Sequence, residues 1–246
     1  MINVLIPSMG HSLFFQDSYF PKPMMEIMGK TMLEQVVENY STLKDKHFIF
    51  VFDQKDCAEF HLDESVRVLT RQEADTLILE NQTAGALCTC LMAIEYVNND
   101  APLLIANCDQ ILDVDYEDVY GKFCSRDEDA GVITFDSIHP RWSYAKIKEG
   151  QVVEVAEKRP FSKHAIAGFY YFKHGSDFVS AAQNAILKDS CLNGLFYISS
   201  SLNEIILSGK KVGHYEITRD RYHSFYSPQK IQDYEDMMRG GRREDS

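Results

Sequence analysis

Four short clusters hold the residue types that could do chemistry. The first 30 residues contain an apolar run, the turn Pro7-Ser8-Met9-Gly10-His11-Ser12, and then Phe20-Pro21-Lys22-Pro23. Gly10 allows a tight turn and a close approach of backbone to a ligand. Lys22, held between two prolines, is a cation on a stiff segment. A strand, a small-residue turn and a fixed lysine form a layout suited to phosphate, and so suggest a nucleotide at the start of the fold.

The second cluster, Asn107-Cys108-Asp109-Gln110, follows the apolar run Pro102–Ala106. A carboxylate at the end of a buried strand, facing a phosphate site, can hold Mg²⁺; it can equally cap a turn. Asp113 and Asp115 read as caps for a helix beginning near Tyr116. The third, Ala156-Glu157-Lys158-Arg159-Pro160, ends a strand with one acid and two cations. Glu157 can accept hydrogen bonds from hydroxyls and Lys158 can pair with a phosphate, or the segment is a solvated charged turn. The fourth, Gln82-Thr83-Ala84-Gly85-Ala86, opens a helix with small residues that admit a base or phosphate, and Thr83 is also a plain N-cap. Trp142, the single tryptophan, can stack on a substrate ring or simply pack. His139, His164 and His223 show no spacing that suggests a metal or a triad, and Walker-type, Gly-x-Ser-x-Gly and dinucleotide motifs are absent.

These clusters need a scaffold that brings strand ends together. Apolar runs predict strands at Val4–Pro7, His47–Asp53, Val66–Thr70 and Leu103–Ala106, with Ile2–Ile6 reading as buried on both faces. Helical spacing predicts helices at Thr31–Leu43, near Cys57–Leu62 and at Ala84–Val97. That alternation gives a mostly parallel α/β sheet with helices on both faces, where ligands sit at the carboxyl ends of strands. Pro7–His11, Asp53, Arg71 and Asn107–Asp109 fall at those ends. The second half changes to strands joined by short turns, Gly131–Phe135, Tyr144–Lys148, Val152–Ala156 and Ile166–Phe172, an antiparallel extension expected to cover the substrate. Helices follow at Ser176–Leu187, Leu195–Ser208 and Pro228–Met238.

Bulk properties restrict the partners. A chain of 246 residues fits one domain, and 45% hydrophobic content supplies a core. We expect one domain over 1–238, with a nucleotide-binding half (1–125), a substrate-binding half (126–238) and a flexible tail (239–246). Net charge −12 argues against nucleic acid, so a polyanionic substrate needs a locally basic pocket. No basic leader precedes the first strand and no apolar run reaches the ~18 residues that span a bilayer, so a cytoplasmic protein without membrane contact is expected. The six cysteines are scattered, and are expected to be reduced and packed as small hydrophobes.

Taken together, Ile2–Gly10, Phe20–Pro23, Thr83–Ala86, Ile105–Gln110 and Val155–Pro160 resemble the sugar-phosphate nucleotidylyltransferases, over roughly residues 1 to 235. Ala106–Gln110, Thr134–Tyr144, Val155–Lys158 and Asn193–Tyr197 look closest to a branch found in polysaccharide and capsule gene clusters. The resemblance implies a three-layer, Rossmann-like, glycosyltransferase-A-like fold. It implies transfer of a nucleoside monophosphate from an NTP to a small phosphorylated metabolite, most simply a sugar 1-phosphate, with release of pyrophosphate. It further implies that Pro7, Ser8, Gly10, His11, Ser12, Gln82, Gly85 and Asn107 bind the nucleotide. Lys22, Asp109 and Lys158 are implied as the catalytic set, with Asp109 binding Mg²⁺. Trp142, Glu157, Gly168 and Asn193 are implied to line the acceptor pocket. Related enzymes are often oligomers, so a homo-oligomer stays open.

The chain departs from the family pattern twice. Leu13 stands where the family's opening turn carries an arginine, and Tyr222–Pro228, matching a metal-binding segment of many relatives, contains no carboxylate. Two rival readings follow: a glycosyltransferase of the same fold using a nucleotide-sugar, and a degenerate homologue that binds nucleotide without catalysis. The base and the acceptor stay open; the acceptor can be a sugar phosphate, a polyol phosphate or an amino-acid-derived phosphate used with CTP.

Overall fold

β1 (Ile2–Ser8) is apolar at successive positions because it lies inside a sheet covered on both sides. Val4 and Ile6 enter one core cluster and Leu5 enters the other, all three fully buried. The computed structural model describes residues 1–10 and 13–241, so His11 and Ser12 lie outside the described residues. After β1 come a two-strand hairpin, β2 (Glu26–Ile27) with β3 (Lys30–Thr31), and α1 (Met32–Asn39). Thr31 and Glu34 cap α1 reciprocally, each side chain bonding the other's backbone N–H. β4 (Lys46–Asp53), α2 (Gln54–Phe60), α3 (Leu62–Leu69) and β5 (Ala74–Leu79) follow. Next are α4 (Ala86–Met92), α5 (Ile94–Val97), β6 (Leu103–Ala106), β7 (Gln110–Leu112) and α6 (Tyr116–Ser125).

β1 pairs in parallel with β4 on one side and with β6 on the other, and β4 pairs in parallel with β5. Helices bury their apolar stripes on both faces. Leu33 and Val36 of α1, Leu62 and Val66 of α3, and Val119 and Phe123 of α6 join one cluster. Leu87 and Cys90 of α4 join the other. The expected α/β architecture is therefore present.

The second half adds β8 (Ala130–Asp136), β9 (Ser143–Lys148), β10 (Gln151–Glu157) and β11 (His164–Phe172). α7 (Gly175–Leu187), α8 (Ile198–Leu207), β12 (Val212–Ile217), β13 (Tyr222–Ser224) and α9 (Pro228–Gly241) complete the chain. β11 is the pivot of the nine-stranded sheet. It runs antiparallel to β6, to β8 and, at Ala165, to β9, and so joins the parallel half to the antiparallel extension. β9 and β10 form a hairpin whose turn residues Glu149 and Gly150 both have positive φ (50° and 79°), which suits the twist of the flanking strands. β12 returns to lie parallel to β8. Among the described residues no helix is long and apolar enough to cross a membrane, and all six cysteines are free.

Several expectations need correction. Val66–Thr70 is not a strand: Val66 and Leu69 belong to α3, with Leu62, Val66 and Leu69 spaced i, i+4, i+7. Arg71 therefore follows a helix, exposed and with φ 55°, rather than a strand end. The helix expected over Ala84–Val97 begins at Ala86 and breaks at Ala93, and the one expected from Leu195 begins at Ile198. Asp115 caps α6 by accepting from the backbone of Glu117 and Asp118, whereas Asp113 does not cap it and instead lies 3.0 Å from His223 Nε2.

Candidate functional site

β1, β6 and the start of α4 meet at a cleft of about 450 Å³. Its lining includes Pro7, Gly10, Lys22, Gln82, Gly85, Asn107 and Asp109, so seven residues picked from sequence converge there. Ser8 lines a neighbouring hollow with Gly10 and Lys22. Gly10 adopts no left-handed φ. What its lack of a side chain provides is space, since a Cβ there would meet nothing within 4 Å.

Lys22 begins a single 3-10 turn, Lys22–Met24, set by Pro21 and Pro23. Its ammonium makes an ion pair with the Asp109 carboxylate, and the two side chains are only 14% and 17% exposed. Burial is the largest single effect on the Lys22 pKa and lowers it, but the Asp109 charge, Cys108 and the hydrogen bond to Asp109 together outweigh it and the net shift is upward. Asp109 is placed by the backbone on two sides. The Asn107 N–H donates to the Gly168 carbonyl at 3.1 Å, and the Phe225 N–H donates to the Asp109 carbonyl at 2.8 Å. The Gln110 amide also donates to the Gly168 carbonyl, at 2.9 Å.

Gly168 has φ +61°, at the register shift of β11 against β8. A Cβ on it would lie 2.2 Å from Asn107 Nδ2 and 2.5 Å from Gln110 Oε1. Only glycine lets the loop after β6 settle onto β11. Gly85 is constrained likewise: φ is +108° and a Cβ would lie 2.5 Å from the Phe196 carbonyl oxygen. Thr83 is not the cap of α4, since Gly85 occupies that position; the Thr83 hydroxyl bonds the Gly85 carbonyl and Thr89 instead. Gln82 donates to Asp53 Oδ2 at 3.1 Å, which ties the edge of the cleft to the end of β4.

A second pocket, of about 290 Å³, adjoins the first through Ala86 and Asn107, which line both. Trp142, Glu157, Lys158 and Gly168 line it as expected. Trp142 also packs edge-on against Phe135 and Tyr222, as its packing reading expects. Glu157 Oε2 accepts from the hydroxyls of Ser143 and Ser199, which fix the carboxylate. Lys158 sits at φ 51°, an uncommon conformation for a residue with a Cβ, and its ammonium bonds the Tyr197 hydroxyl at 2.7 Å. Asn193 is not brought to this pocket. It occupies an exposed left-handed turn with Gly194, closed by the Leu192–Leu195 bridge.

Ser143, Tyr170, Tyr197 and Tyr222 also line the second pocket and were not singled out as site residues from sequence. Tyr197 ends the Asn193–Tyr197 motif, the one local signal available. Burial pushes the Tyr170 and Tyr222 phenols well above their ordinary range, so both stay neutral hydrogen-bonding groups.

The first cleft thus holds a fixed cation and a carboxylate, and a second pocket adjoins it. Residues 18–193, more than half of the sequence, match the model of the nucleotidyl transferase family. The chain belongs to the nucleotidyl transferase family. No curated protein matches it. Three solved structures share the fold of this nucleotidyl transferase over nearly its whole length. A nucleoside-diphosphate-sugar pyrophosphorylase from Vibrio cholerae RC9 has TM-score 0.79 and 21% identity, covering 96% of this chain and 99% of that one. UDP-glucose pyrophosphorylase in complex with UDP-glucose has TM-score 0.78 and 15% identity, covering 98% and 100%. HddC from Yersinia pseudotuberculosis has TM-score 0.70 and 17% identity, covering 97% and 100%.

Proposed function

We propose that this transferase moves a nucleoside monophosphate from an NTP to a small phosphorylated metabolite, most simply a sugar 1-phosphate, releasing pyrophosphate. The observation that carries the reading is the Lys22–Asp109 pair, lining a cleft of about 450 Å³ that adjoins a second pocket. Structural neighbours named for sugar-nucleotide pyrophosphorylases support it, and the polysaccharide-branch motifs support a place in cell-surface polysaccharide synthesis.

In this reading the open face of Gly10, the Gln82 side chain and the narrow backbone at Gly85 receive the nucleotide. Lys22 neutralises phosphate charge. Lys158 holds the acceptor phosphate, and Glu157, fixed by two serine hydroxyls, accepts from acceptor hydroxyls. The acceptor phosphate oxygen attacks the α-phosphorus, the bond to the bridging oxygen breaks, and pyrophosphate leaves with the electron pair. No covalent enzyme intermediate is required, so the residues act by positioning and charge neutralisation.

Mg²⁺ fits this donor set. Mg²⁺ keeps several waters and takes one or two carboxylates plus substrate phosphates, and Asp109 supplies one carboxylate at the cleft. The second carboxylate of many relatives is absent: the segment beside Asp109 presents buried Phe225. Asp109 would hold the ion together with the NTP's own oxygens, and the ion would supply neutralisation of phosphate charge. Lys22 pairs with only one of the two Asp109 carboxylate oxygens, so the other would be open to the ion while the lysine stays at the cleft.

The test is pyrophosphate release with Mg²⁺, using CTP, UTP, GTP, dTTP and ATP against sugar, polyol and amino-acid-derived phosphates. Release with one NTP, abolished by Asp109→Ala, is expected. Silence across the panel with folded protein overturns the reading, and hydrolysis of nucleotide-sugars without NTP turnover would favour a glycosyltransferase.

A further inference from the structure

A third pocket, of about 340 Å³, lies on the far side of the acceptor pocket, between β13, α9 and the loop before β9. Arg141, Trp142 and Tyr222 line both, so they form a shared wall. The charges inside this pocket are unevenly balanced. Lys230 pairs with Asp233 at 2.6 Å, and His223 lies 3.0 Å from Asp113. Arg141 and Arg219 have no carboxylate within ion-pair distance among the described residues. Both guanidinium groups instead lie against aromatic faces, and that of Arg219 also bonds the backbone. Arg141 stacks 3.4 Å above the Tyr226 ring centroid and lies 5.5 Å from that of Trp142. Arg219 lies 5.2 Å from the Phe135 centroid and donates to the Tyr222 carbonyl at 2.6 Å.

Two guanidinium groups without carboxylate partners are notable on a chain of net charge −12, where acids are available to pair them. Stacking fixes the planar fork while leaving its N–H edges for an oxyanion, the arrangement that recognises carboxylate and phosphate. Arg141 lines the acceptor pocket together with Lys158 as well as this third pocket, so the shared wall carries a cation that faces both.

We propose that Arg141 and Arg219 form an anion subsite for the end of the acceptor remote from its reacting phosphate. The acceptor is then a phosphorylated metabolite that carries a second acidic group, a carboxylate or a second phosphate. The inference rests on the transferase reading for its acceptor, and it narrows that acceptor to metabolites with two separate acidic groups.

Matched pairs that differ by one carboxylate test it. Glucose 1-phosphate against glucuronate 1-phosphate, and phosphoethanolamine against O-phosphoserine, are titrated calorimetrically into wild type, Arg219→Gln and Arg219→Lys. Melting temperatures control for folding. In at least one pair the acidic member is expected to bind wild type at least ~10-fold more tightly than its neutral partner. That advantage should fall below ~3-fold in Arg219→Gln and partly return in Arg219→Lys, while the neutral member binds all three alike. Equal binding within both pairs, an advantage that survives in Arg219→Gln, or no binding of any member at millimolar concentration overturns the subsite. Pyrophosphate release is followed separately with neutral and acidic acceptors. Turnover without an acidic preference defeats the subsite alone, and a carboxylate preference without turnover defeats the transferase reading alone.

Discussion

Lys22 and Asp109, 87 residues apart in sequence, share one ion pair in which neither side chain is more than 17% exposed. Removing one partner strands the other charge in a poorly solvated place, while replacing both with apolar groups removes the mismatch. Asp109→Ala should therefore lower stability by about 2–3 kcal/mol, and Lys22→Met/Asp109→Leu should regain most of it. Activity should not follow: both variants should lose pyrophosphate release by ~10³-fold or more, since each removes charge neutralisation. Denaturant titration beside turnover measures both. A double variant that regains activity along with stability would show the pair to be structural only.

Gly168 ties this pair to the sheet, because its carbonyl receives both the Asn107 N–H and the Gln110 amide. Gly168→Ala adds a Cβ 2.2 Å from Asn107 Nδ2 at a φ of +61°. We expect a loss of about 2 kcal/mol or more. Nucleotide affinity should fall as well, because the Asn107–Gln110 loop must move. Gly10→Ala, where the added Cβ meets no protein atom, should keep its melting temperature and lose only nucleotide affinity. If both variants bind nucleotide like wild type in a calorimetric titration, this cleft is not where the nucleotide sits.

How much of this could be read from sequence depended on burial. Leu103–Ala106 was read to the residue because all four positions are buried on both faces, which writes an uninterrupted apolar run. Val66–Thr70 was misread because β-branched Val66 and Val68 imitate a strand, although Val68 is 73% exposed on the outer side of α3. β5 escaped notice because it pairs with β4 alone and is only half-buried, so its pattern is weak. Lys22, Asp109, Glu157 and Lys158 could be picked out as pocket-lining residues because each ends or follows a strand or sits in a proline-fixed turn. Tyr222 and Arg219 were not, since they reach the site through the β12 return, which Gly213 and His214 interrupt as an apolar signal.

Lys158 reaches its pocket from a strained backbone position and rests on the Tyr197 hydroxyl at 2.7 Å. A lysine held for an acceptor phosphate affects one substrate and not the other. Lys158→Ala should lower kcat/KM for the phosphorylated acceptor by about 10²-fold and leave KM for the NTP within about threefold. Tyr197→Phe, which keeps the charge and loses only its support, should cost under about tenfold. Steady-state kinetics with each substrate varied in turn decides it, and an equal rise in both KM values would place Lys158 outside the acceptor pocket.

Glu128 offers a pH test remote from the cleft. It is 1% exposed, its Oε2 has no hydrogen-bond partner among the described residues, and that oxygen lies where a Cβ on Gly213 would sit, at 1.8 Å. Burial raises its pKa above the usual glutamate value, against the smaller opposing effects of Arg126, Gln151 and Lys211. A carboxylate whose folded pKa is raised contributes stability below the unfolded value of about 4.3, and that contribution is lost as pH rises through the folded value. Above its folded value Glu128 is an ill-solvated charge, which Glu128→Gln removes while retaining a partner for Gln151. The variant should be more stable than wild type by about 1 kcal/mol at pH 7, or about 2–4 °C in Tm. The gap should narrow towards pH 4, where wild type is protonated. Denaturant midpoints at pH 7 and pH 4 measure it, and a gap that is constant or widens on acidification would mean that burial of the charge is not the cause.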